Sequence, residues 1–426
     1  MSTRRGSRAA LLVVLLSLVG SLLVGCSGDG DESLLGDGGT TGSVSPDEAQ
    51  KLLDRRAHAV RAGDLEEFLA TLDPTNPQLL TRQRRYFANM QALPLEAFRY
   101  RVLKAEWPAQ LRAPGWGKDV SLPQVRVATQ LDGFDEVPVR RITGFAFARK
   151  NGKPVILSEL TGTKKQFPGS SPAPWDLVRI RVQSDGDTLQ IYDAGTWAKA
   201  GEIGSVVRRG VANVQEALPF SWDGKVVVYV FSRKAVLNSF EGVPGGNITH
   251  LGAMTFPMYA DLGQPTVAGV RFTLLPSSIR AGQPFLDRIT RHELTHVAVG
   301  ERDDGAPVWF AEGLAEYMGA RSISKRSRRI ATVAVTRARD GVAGLPASKG
   351  FNGDDQAWNY ALSWMACDYI AATQGESKLW ELMEAFHRSG QGTPDDMADS
   401  VLLRVIGIDG TDLANRAAKR ILRIYG

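Results

Sequence analysis

Apolar side chains recur along this chain with two different periods, and the period changes near residue 97. From Ser45 the spacing is helical, and Ser45-Pro46-Asp47-Glu48 combines the hydroxyl cap, first-turn proline and acidic residues of a helix start. Beyond residue 97 apolar and polar residues alternate, which predicts antiparallel strands. These strands lie near residues 98–102, 125–128, 141–147 and 155–157, with Asn151-Gly152 as a hairpin turn.

A Pro-, Ser- and Gly-rich segment at residues 167–174 predicts a boundary between two domains. Beyond it the pattern predicts strands at 177–182, 188–192, 226–231 and 269–275, with a helix at 197–217. From Pro284 onward the apolar spacing is mostly helical. We therefore expect an α+β fold. An accessory module of helices and antiparallel sheet occupies residues 46–170, and a domain with a small sheet and a mainly helical C-terminal half occupies residues 175–426.

The first helices of the accessory module resemble a known fold family. The segment Ala59-Val60-Arg61-Ala62-Gly63-Asp64-Leu65-Glu66-Glu67-Phe68 resembles the opening helices of the NTF2-like cone fold. The resemblance covers most of the accessory module. Any other small α+β accessory module is the alternative.

Residues 1–25 have the pattern of an export signal rather than of a folded element. Arg4, Arg5 and Arg8 form a positive region, and Ala9–Leu23 form a short apolar region. The signal ends in Leu23-Val24-Gly25-Cys26, which resembles the lipobox of bacterial lipoproteins. That resemblance implies cleavage before Cys26 and a lipid on its sulfur. An uncleaved anchor, or a secretory signal followed by a chance cysteine, is the alternative.

The predicted lipid anchor places the protein at the cell membrane, facing the extracytoplasmic side. Residues 26–45 are rich in Gly, Asp, Ser and Thr, which is typical of a flexible tether between the membrane and a folded body. Cys367 is the other cysteine, so a lipidated Cys26 leaves no intramolecular disulfide. No segment after the signal has the roughly 18 consecutive apolar residues that a membrane span needs.

The charge balance by itself argues neither for nor against a nucleic-acid-binding protein. The formal net charge is +5, and removing residues 1–25, with three arginines and no acidic residue, leaves +2. No basic run is interleaved with aromatic residues, so we expect no nucleic-acid partner. The short basic cluster Lys325–Arg329 is either a solvated helix end or a contact with anionic lipid headgroups. The sequence leaves the oligomeric state open.

The segment His292-Glu293-Leu294-Thr295-His296 carries the strongest chemical pattern in the chain. Residues four apart share one helix face, so both imidazoles can bind one metal ion. Glu293 lies about 100° around the helix, where it can act as a general base without binding the metal. A third ligand is expected from another helix, and Glu312 in Trp309-x-x-Glu312-Gly313-Leu314-Ala315 is the candidate.

Together these two segments resemble the zinc-binding signatures of the gluzincin superfamily, which includes thermolysin-like and aminopeptidase-like enzymes. The resemblance extends over residues 175–426 and is specific over 285–318. It implies Zn²⁺ as the cofactor, a peptide or protein substrate, and Glu312 as a zinc ligand beside His292 and His296. Fifteen residues separate His296 from Glu312, fewer than in the best-known members, so residues 300–307 must form a tight helix–helix connection.

Glu316 lies one helical turn after Glu312, on the same predicted face. The resemblance suggests that its carboxylate accepts a hydrogen bond from the far nitrogen of His292 and thereby fixes the imidazole tautomer. A solvated helix carboxylate is the alternative, and an exchange of roles between Glu312 and Glu316 stays open.

Hydrolysis through a tetrahedral intermediate also needs a hydrogen-bond donor for the developing oxyanion. The segment Trp358–Ser363 resembles a downstream helix of gluzincin-like proteins in which a tyrosine points back toward the metal, and this implies Tyr360 as the donor. A core aromatic residue is the alternative interpretation of Tyr360. Tyr259 and His250 are further candidates from the segment before Gly269.

The sequence therefore predicts a membrane-anchored, extracytoplasmic zinc metallopeptidase that hydrolyses peptide bonds with a metal-activated water. Two alternatives stay open: a catalytically inactive peptidase-like binding lipoprotein, and a zinc hydrolase of a non-peptide amide or ester. Metal ligands define how water is activated and not which bond is cleaved. No motif for holding a free amino terminus is visible, which favours an endopeptidase.

Overall fold

The structure, a computed structural model, describes residues 42–160, 172–239, 252–261, 266–389 and 394–426. It has the expected α+β architecture, with helices and an antiparallel sheet first, then a second sheet and a mainly helical C-terminal half. Cys26 and His250, both named above as candidate residues, lie outside the described residues.

The N-terminal module consists of helices followed by four antiparallel strands that pair in sequence order. Ser45 and Glu48 form the expected cap of the first helix: Glu48 N donates to Ser45 Oγ at 3.3 Å, and Ser45 N donates to a Glu48 carboxylate oxygen at 3.0 Å. The elements are α1 (Pro46–Ala62), α2 (Leu65–Leu69), α3 (Pro77–Ala92), β1 (Leu95–Glu106), β2 (Pro123–Leu131), β3 (Val139–Lys150) and β4 (Lys153–Leu160).

The second part of the chain contains a five-stranded mixed sheet. The short helix α4 (Pro174–Leu177) precedes it, and the strands are β5 (Arg181–Ser184), β6 (Thr188–Tyr192), β7 (Val226–Val230), β8 (Ala253–Tyr259) and β9 (Val267–Leu274). The spatial order is β5-β6-β7-β9-β8, and β6, β7 and β9 are parallel to one another. Strands β5 and β8 pair antiparallel at the two edges of the sheet.

The strand predicted at residues 177–182 is wrong in its first half, because α4 ends there and β5 begins later. Asn89 of α3 makes the hydrogen bonds that a neighbouring strand would make. Its amide donates to the carbonyl oxygens of Trp175 and Val178, both at 2.7 Å, and its own oxygen accepts from Ile180 N at 3.0 Å. A side chain from a distant helix therefore determines the conformation of this segment.

The remaining helices form most of the second part of the chain. They are α5 (Ala200–Ala217), α6 (Lys234–Ser239), α7 (Pro276–Ala281), α8 (Phe285–Val299), α9 (Val308–Arg321), α10 (Thr332–Asp340), α11 (Gln356–Gln374), α12 (Ser377–Ser389), α13 (Pro394–Ile406) and α14 (Gly410–Tyr425). Within the part of the chain that the structure describes, none of the helices is long and apolar enough to cross a membrane.

The two faces of the five-stranded sheet contribute to two different apolar cores, because successive strand residues point to opposite faces. On one face Val228, Val230 and Phe272 pack with α5, α8 and the C-terminal helices. On the other face Val227 and Tyr229 pack with residues of the N-terminal module. The domain boundary near residues 170–175 stays a prediction, and an apolar core is continuous between the two parts.

A buried ion pair joins the two parts of the chain next to β8. Asp135, in the β2–β3 connection, pairs with Arg271 of β9, and both side chains are at most 2% exposed. Asp135 also accepts a hydrogen bond from Leu131 N at 2.9 Å. Glu136 N donates to Ala268 O at 2.8 Å, so the module contacts β9 through both backbone and side-chain groups.

We expect Asp135→Ala to lower the free energy of unfolding by about 3–5 kcal/mol, because it leaves the Arg271 guanidinium buried without its carboxylate. Denaturant titration followed by tryptophan fluorescence measures the change. The control is Asp132→Ala, which alters an exposed aspartate in the same connection. It should change the free energy of unfolding by less than about 0.5 kcal/mol. Equal effects of the two substitutions would contradict the role given to the buried pair.

Candidate active site

The candidate catalytic residues come from two consecutive helices beside the five-stranded sheet. His292, Glu293 and His296 lie on α8, and Glu312 lies on α9. His292 and Glu293 are each 4% exposed, so these polar side chains are buried and need polar or ionic partners. The connection between the helices is short, as expected, and begins with the 3₁₀ turn Gly300–Asp303.

Two glycines allow α9 to approach its neighbours closely. A Cβ at Gly313 would lie 2.5 Å from Ser363 O of α11, and a Cβ at Gly319 would lie 2.9 Å from Arg288 O of α8. These contacts are with backbone atoms, so a larger side chain at either glycine requires α9 to shift. Gly313, which follows Glu312 in the sequence, therefore allows the close approach of α9 to α11, and Gly319 allows its close approach to α8.

Three side chains bring potential ligand atoms to one point. The Nε2 atoms of His292 and His296 are 3.3 Å apart, and Oε2 of Glu312 lies 3.2 Å from the first and 3.5 Å from the second. In tetrahedral coordination, ligand atoms about 2.0–2.1 Å from zinc are separated by about 3.3–3.4 Å. The triangle of Nε2, Nε2 and Oε2 therefore has the dimensions that a single zinc ion requires.

The electrostatics of this triangle also fit a bound cation. Oε2 of Glu312 is buried and makes no hydrogen bond of regular geometry with the described residues. Burial alone raises the pKa of Glu312, but His296 and His292 more than offset it and hold this pKa well below its usual range. Glu312 is therefore ionised at neutral pH, and two imidazoles with one carboxylate are a common zinc ligand set.

Glu316 contacts the opposite side of the His292 ring. Its Oε1 lies 3.4 Å from His292 Nδ1, and its other oxygen accepts a hydrogen bond from Arg288. Burial alone raises the pKa of Glu316, but Arg288 and then His292 hold it at about 2. The two glutamates thus face different nitrogens of His292, with Glu312 at Nε2 and Glu316 at Nδ1.

The Glu293 carboxylate lies against the edge strand of the sheet. Thr255 of β8 donates a hydrogen bond from Oγ1 to Glu293 Oε2 at 2.6 Å. Burial raises the pKa of Glu293, and the neighbouring His292 and His296 oppose this shift. Glu293 lines the same cavity as the two histidines and Glu312, so the structure brings a proton acceptor together with the three candidate ligands.

Tyr360 of α11 lies beside His292. The centroid of its ring is 6.1 Å from that of His292 and 5.1 Å from that of Phe351. Burial, followed by the negative charge of Glu312, raises the pKa of Tyr360 well above its usual value. Its hydroxyl therefore keeps its proton at neutral pH and can act as a donor.

Two cavities meet at His292 and Tyr360, which line both of them. One has a volume of about 240 Å³ and a mainly polar lining that includes Thr255, Glu293, His296, Asp303, Glu312 and Asn352. The other has a volume of about 340 Å³ and a mainly apolar lining that includes Phe285, Ile289, Ile330, Ala361 and Trp364, with Arg288 and Arg329. The candidate ligands thus lie between a polar and an apolar space.

Sequence reasoning did not identify Thr255, Arg288 or Asp303 as part of this site. Asp303 is half-buried in the connection between α8 and α9, and burial raises its pKa to about 6. Arg288 lies four positions before His292, and this spacing could have indicated it, since residues four apart share a helix face. Thr255 and Asp303 carry no such local signal.

The remaining candidates lie away from the triangle. Tyr259 is half-buried at the last position of β8 and lines neither of the two cavities. Cys367 is buried and has a free thiol. His58 and His387 are exposed.

The chain has similarity to solved structures of zinc metallopeptidases. No family model matches the chain, and the comparison with curated proteins found no match for it. It is similar to the M1 zinc metallopeptidase from Deinococcus radiodurans, with 13% sequence identity, a TM-score of 0.33, and coverage of 65% of this chain and 58% of that chain. For a variant of that enzyme the sequence identity is 14% and the TM-score is 0.34, with coverage of 65% of this chain and 59% of that chain. The chain spans less than two thirds of the length of these two structures.

We expect Glu316→Gln to weaken zinc binding by about 10- to 100-fold, because its carboxylate lies 3.4 Å from the far nitrogen of a ligating histidine and a partner at this position orients the ring. Competition with a chromophoric chelator measures the affinity. The control is Glu376→Gln, which removes a carboxylate that also pairs with an arginine but contacts neither histidine. If both substitutions weaken zinc binding equally, the effect does not come from the contact with His292.

Proposed function

We propose that this chain is a zinc-dependent peptidase in which His292, His296 and Glu312 hold the ion. The observation that carries this proposal is the triangle of their ligand atoms, with edges of 3.2–3.5 Å, next to the buried Glu293 carboxylate. When bound, zinc would supply Lewis acidity and lower the pKa of a coordinated water.

Glu293 is the general base of the proposed reaction. Its carboxylate takes a proton from the attacking water and then passes this proton to the leaving amine. Burial raises the pKa of Glu293, which makes the carboxylate a stronger proton acceptor than an exposed glutamate. General acid–base groups typically contribute about 10²- to 10⁴-fold to the rate.

Tyr360 is the proposed donor to the oxygen that becomes negatively charged when water adds to the substrate carbonyl. Its pKa lies well above the usual value, first because of burial and then because of Glu312, so the hydroxyl stays protonated. A donor aimed at the oxygen on which charge develops stabilises the transition state more than the ground state.

The surroundings of the site suit an extended peptide. Strand β8 pairs with β9, and its residues Ala253–Thr255 line the polar cavity. A peptide backbone can pair with an edge strand through main-chain hydrogen bonds. A peptide aligned in this way would run along the polar cavity, which His292 and Tyr360 also line.

We expect Glu293→Gln to lower kcat by about 10²- to 10⁴-fold while the protein still binds one zinc ion, because the substitution removes the base but no ligand. Digestion of an unbiased peptide library, with zinc content measured in parallel, tests this. The control Glu376→Gln should leave cleavage unchanged. Binding of zinc with no cleavage of peptides by the unsubstituted protein would instead favour a binding lipoprotein or a hydrolase of a non-peptide amide or ester.

We also infer that the protein is anchored by a lipid on Cys26 to the extracytoplasmic side of a membrane. The inference is supported by the sequence: positive charges, a short apolar segment and a lipobox-like motif precede a polar tether. Such an anchor would keep the peptidase close to substrates at the membrane surface.

We expect Cys26→Ser to abolish labelling of the protein by radioactive palmitate in a bacterial host, because the substitution removes the sulfur that would carry the lipid. Fractionation of the cells should then show loss of the protein from the membrane fraction. Cys367→Ser is the control, since this cysteine is buried on α11. Continued labelling of the Cys26→Ser protein would rule out lipidation at this site.

A further inference from the structure

Thr255 connects the edge strand of the sheet to the candidate base. Its Oγ1 lies 2.6 Å from Glu293 Oε2 and 3.3 Å from Glu293 O. A hydroxyl has one proton to donate, and Thr255 donates it to the carboxylate, which is the closer of the two acceptors. Hydrogen bonds to an ionised carboxylate are stronger than those between neutral groups. One oxygen of Glu293 is thus held, and the other is left to accept a proton from water.

The strand that carries Thr255 pairs with a strand that contacts the N-terminal module. Thr255 is paired with Phe272 of β9, and the module contacts β9 at Arg271, one residue away, and at Gly269, three residues away. A Cβ at Gly269 would lie 2.6 Å from Asp135 Oδ1 and 3.0 Å from Phe134 O, so the loop of the module lies directly against the β9 backbone. The Thr255 hydroxyl therefore lies on a strand whose neighbour is packed against the module.

We propose that Thr255 is a positioning residue for Glu293. The proposal rests on the proposed function, in which Glu293 is the general base. A reacting group displaced by about 1 Å from its productive position can lower the rate about 100-fold. Thr255 should consequently affect kcat more than the affinity for peptide or zinc, since it binds neither the metal ligands nor the substrate-side oxygen of Glu293.

A double-mutant cycle on the metal-free protein tests this contact without any substrate. Thr255→Val should raise the equilibrium constant for unfolding by about tenfold or more, because it removes a hydrogen bond to a charged group. In the Glu293→Ala background the same substitution should raise this constant by less than about threefold. Equal effects in the two backgrounds would show that Thr255 is not coupled to Glu293, and would overturn the proposal.

Kinetics of the zinc-loaded protein, on the peptide that it cleaves fastest from a library, test the consequence for catalysis. Thr255→Val should lower kcat by about 10- to 100-fold and change KM and zinc content by less than about twofold. Thr255→Ser keeps the hydroxyl and should restore at least half of kcat. The control is Thr273→Val on β9. This substitution removes a buried hydrogen bond of 3.1 Å from Thr273 Oγ1 to Tyr229 O, and Thr273 makes no hydrogen bond with Glu293.

The possible results separate this proposal from the proposed function. If Thr255→Val and Thr273→Val lower kcat equally, or if Thr255→Ser does not restore it, Thr255 has only a structural role and the proposal fails. The general-base role of Glu293 then still stands if Glu293→Gln lowers kcat. If the zinc-loaded protein cleaves no peptide, the proposed function fails, and the unfolding cycle still decides whether Thr255 holds Glu293.

Discussion

The close approach of α9 to α8 and α11 is the constraint on which the candidate site depends. Gly313 and Gly319 place the backbone of α9 against carbonyl oxygens of its two neighbours, at distances that leave no room for a Cβ. This packing carries Glu312 to within 3.2–3.5 Å of both imidazoles. The same helix brings Glu316 to the other nitrogen of His292, so the packing of one helix positions both carboxylates.

The charges around the site form a connected set rather than separate pairs. Arg288 pairs with Glu316, Glu316 contacts His292, and His292 faces Glu312. Isolated buried charges are costly, and opposite charges placed next to one another offset that cost. The arrangement leaves Oε2 of Glu312 without a regular hydrogen bond, which is the position where a cation would complete the set.

The five-stranded sheet links this site to the N-terminal module. One face of the sheet packs with the helices that carry the candidate ligands, and the other packs with the module. The buried ion pair joins Asp135 of the module to Arg271 of β9, next to the edge strand whose Thr255 contacts Glu293. The module is therefore part of the surroundings that hold the site, in addition to any binding role of its own.

Much of the fold could be predicted because it follows from the local periodicity of apolar residues in the sequence. The cap at Ser45, the alternating strands of the N-terminal module and the helical C-terminal half all follow from patterns within a few residues. The segment at 177–182 did not follow its pattern, because Asn89 determines its conformation from a helix more than 80 residues earlier in the chain. Local propensity was overridden there by a tertiary hydrogen bond.

The candidate site likewise has a part that the local sequence pattern predicts and a part that depends on tertiary contacts. The sequence by itself determined that His292 and His296 share a helix face with Glu293 beside them, because the helical repeat places residues four apart together. Only the tertiary structure decided that Glu312 and Thr255 lie against this face and that Arg288 of α8 pairs with Glu316 of α9. Thr255 lies 38 positions from Glu293, and Arg288 lies 28 positions from Glu316. Contacts over such separations are created by packing between elements and leave no periodic trace in the chain.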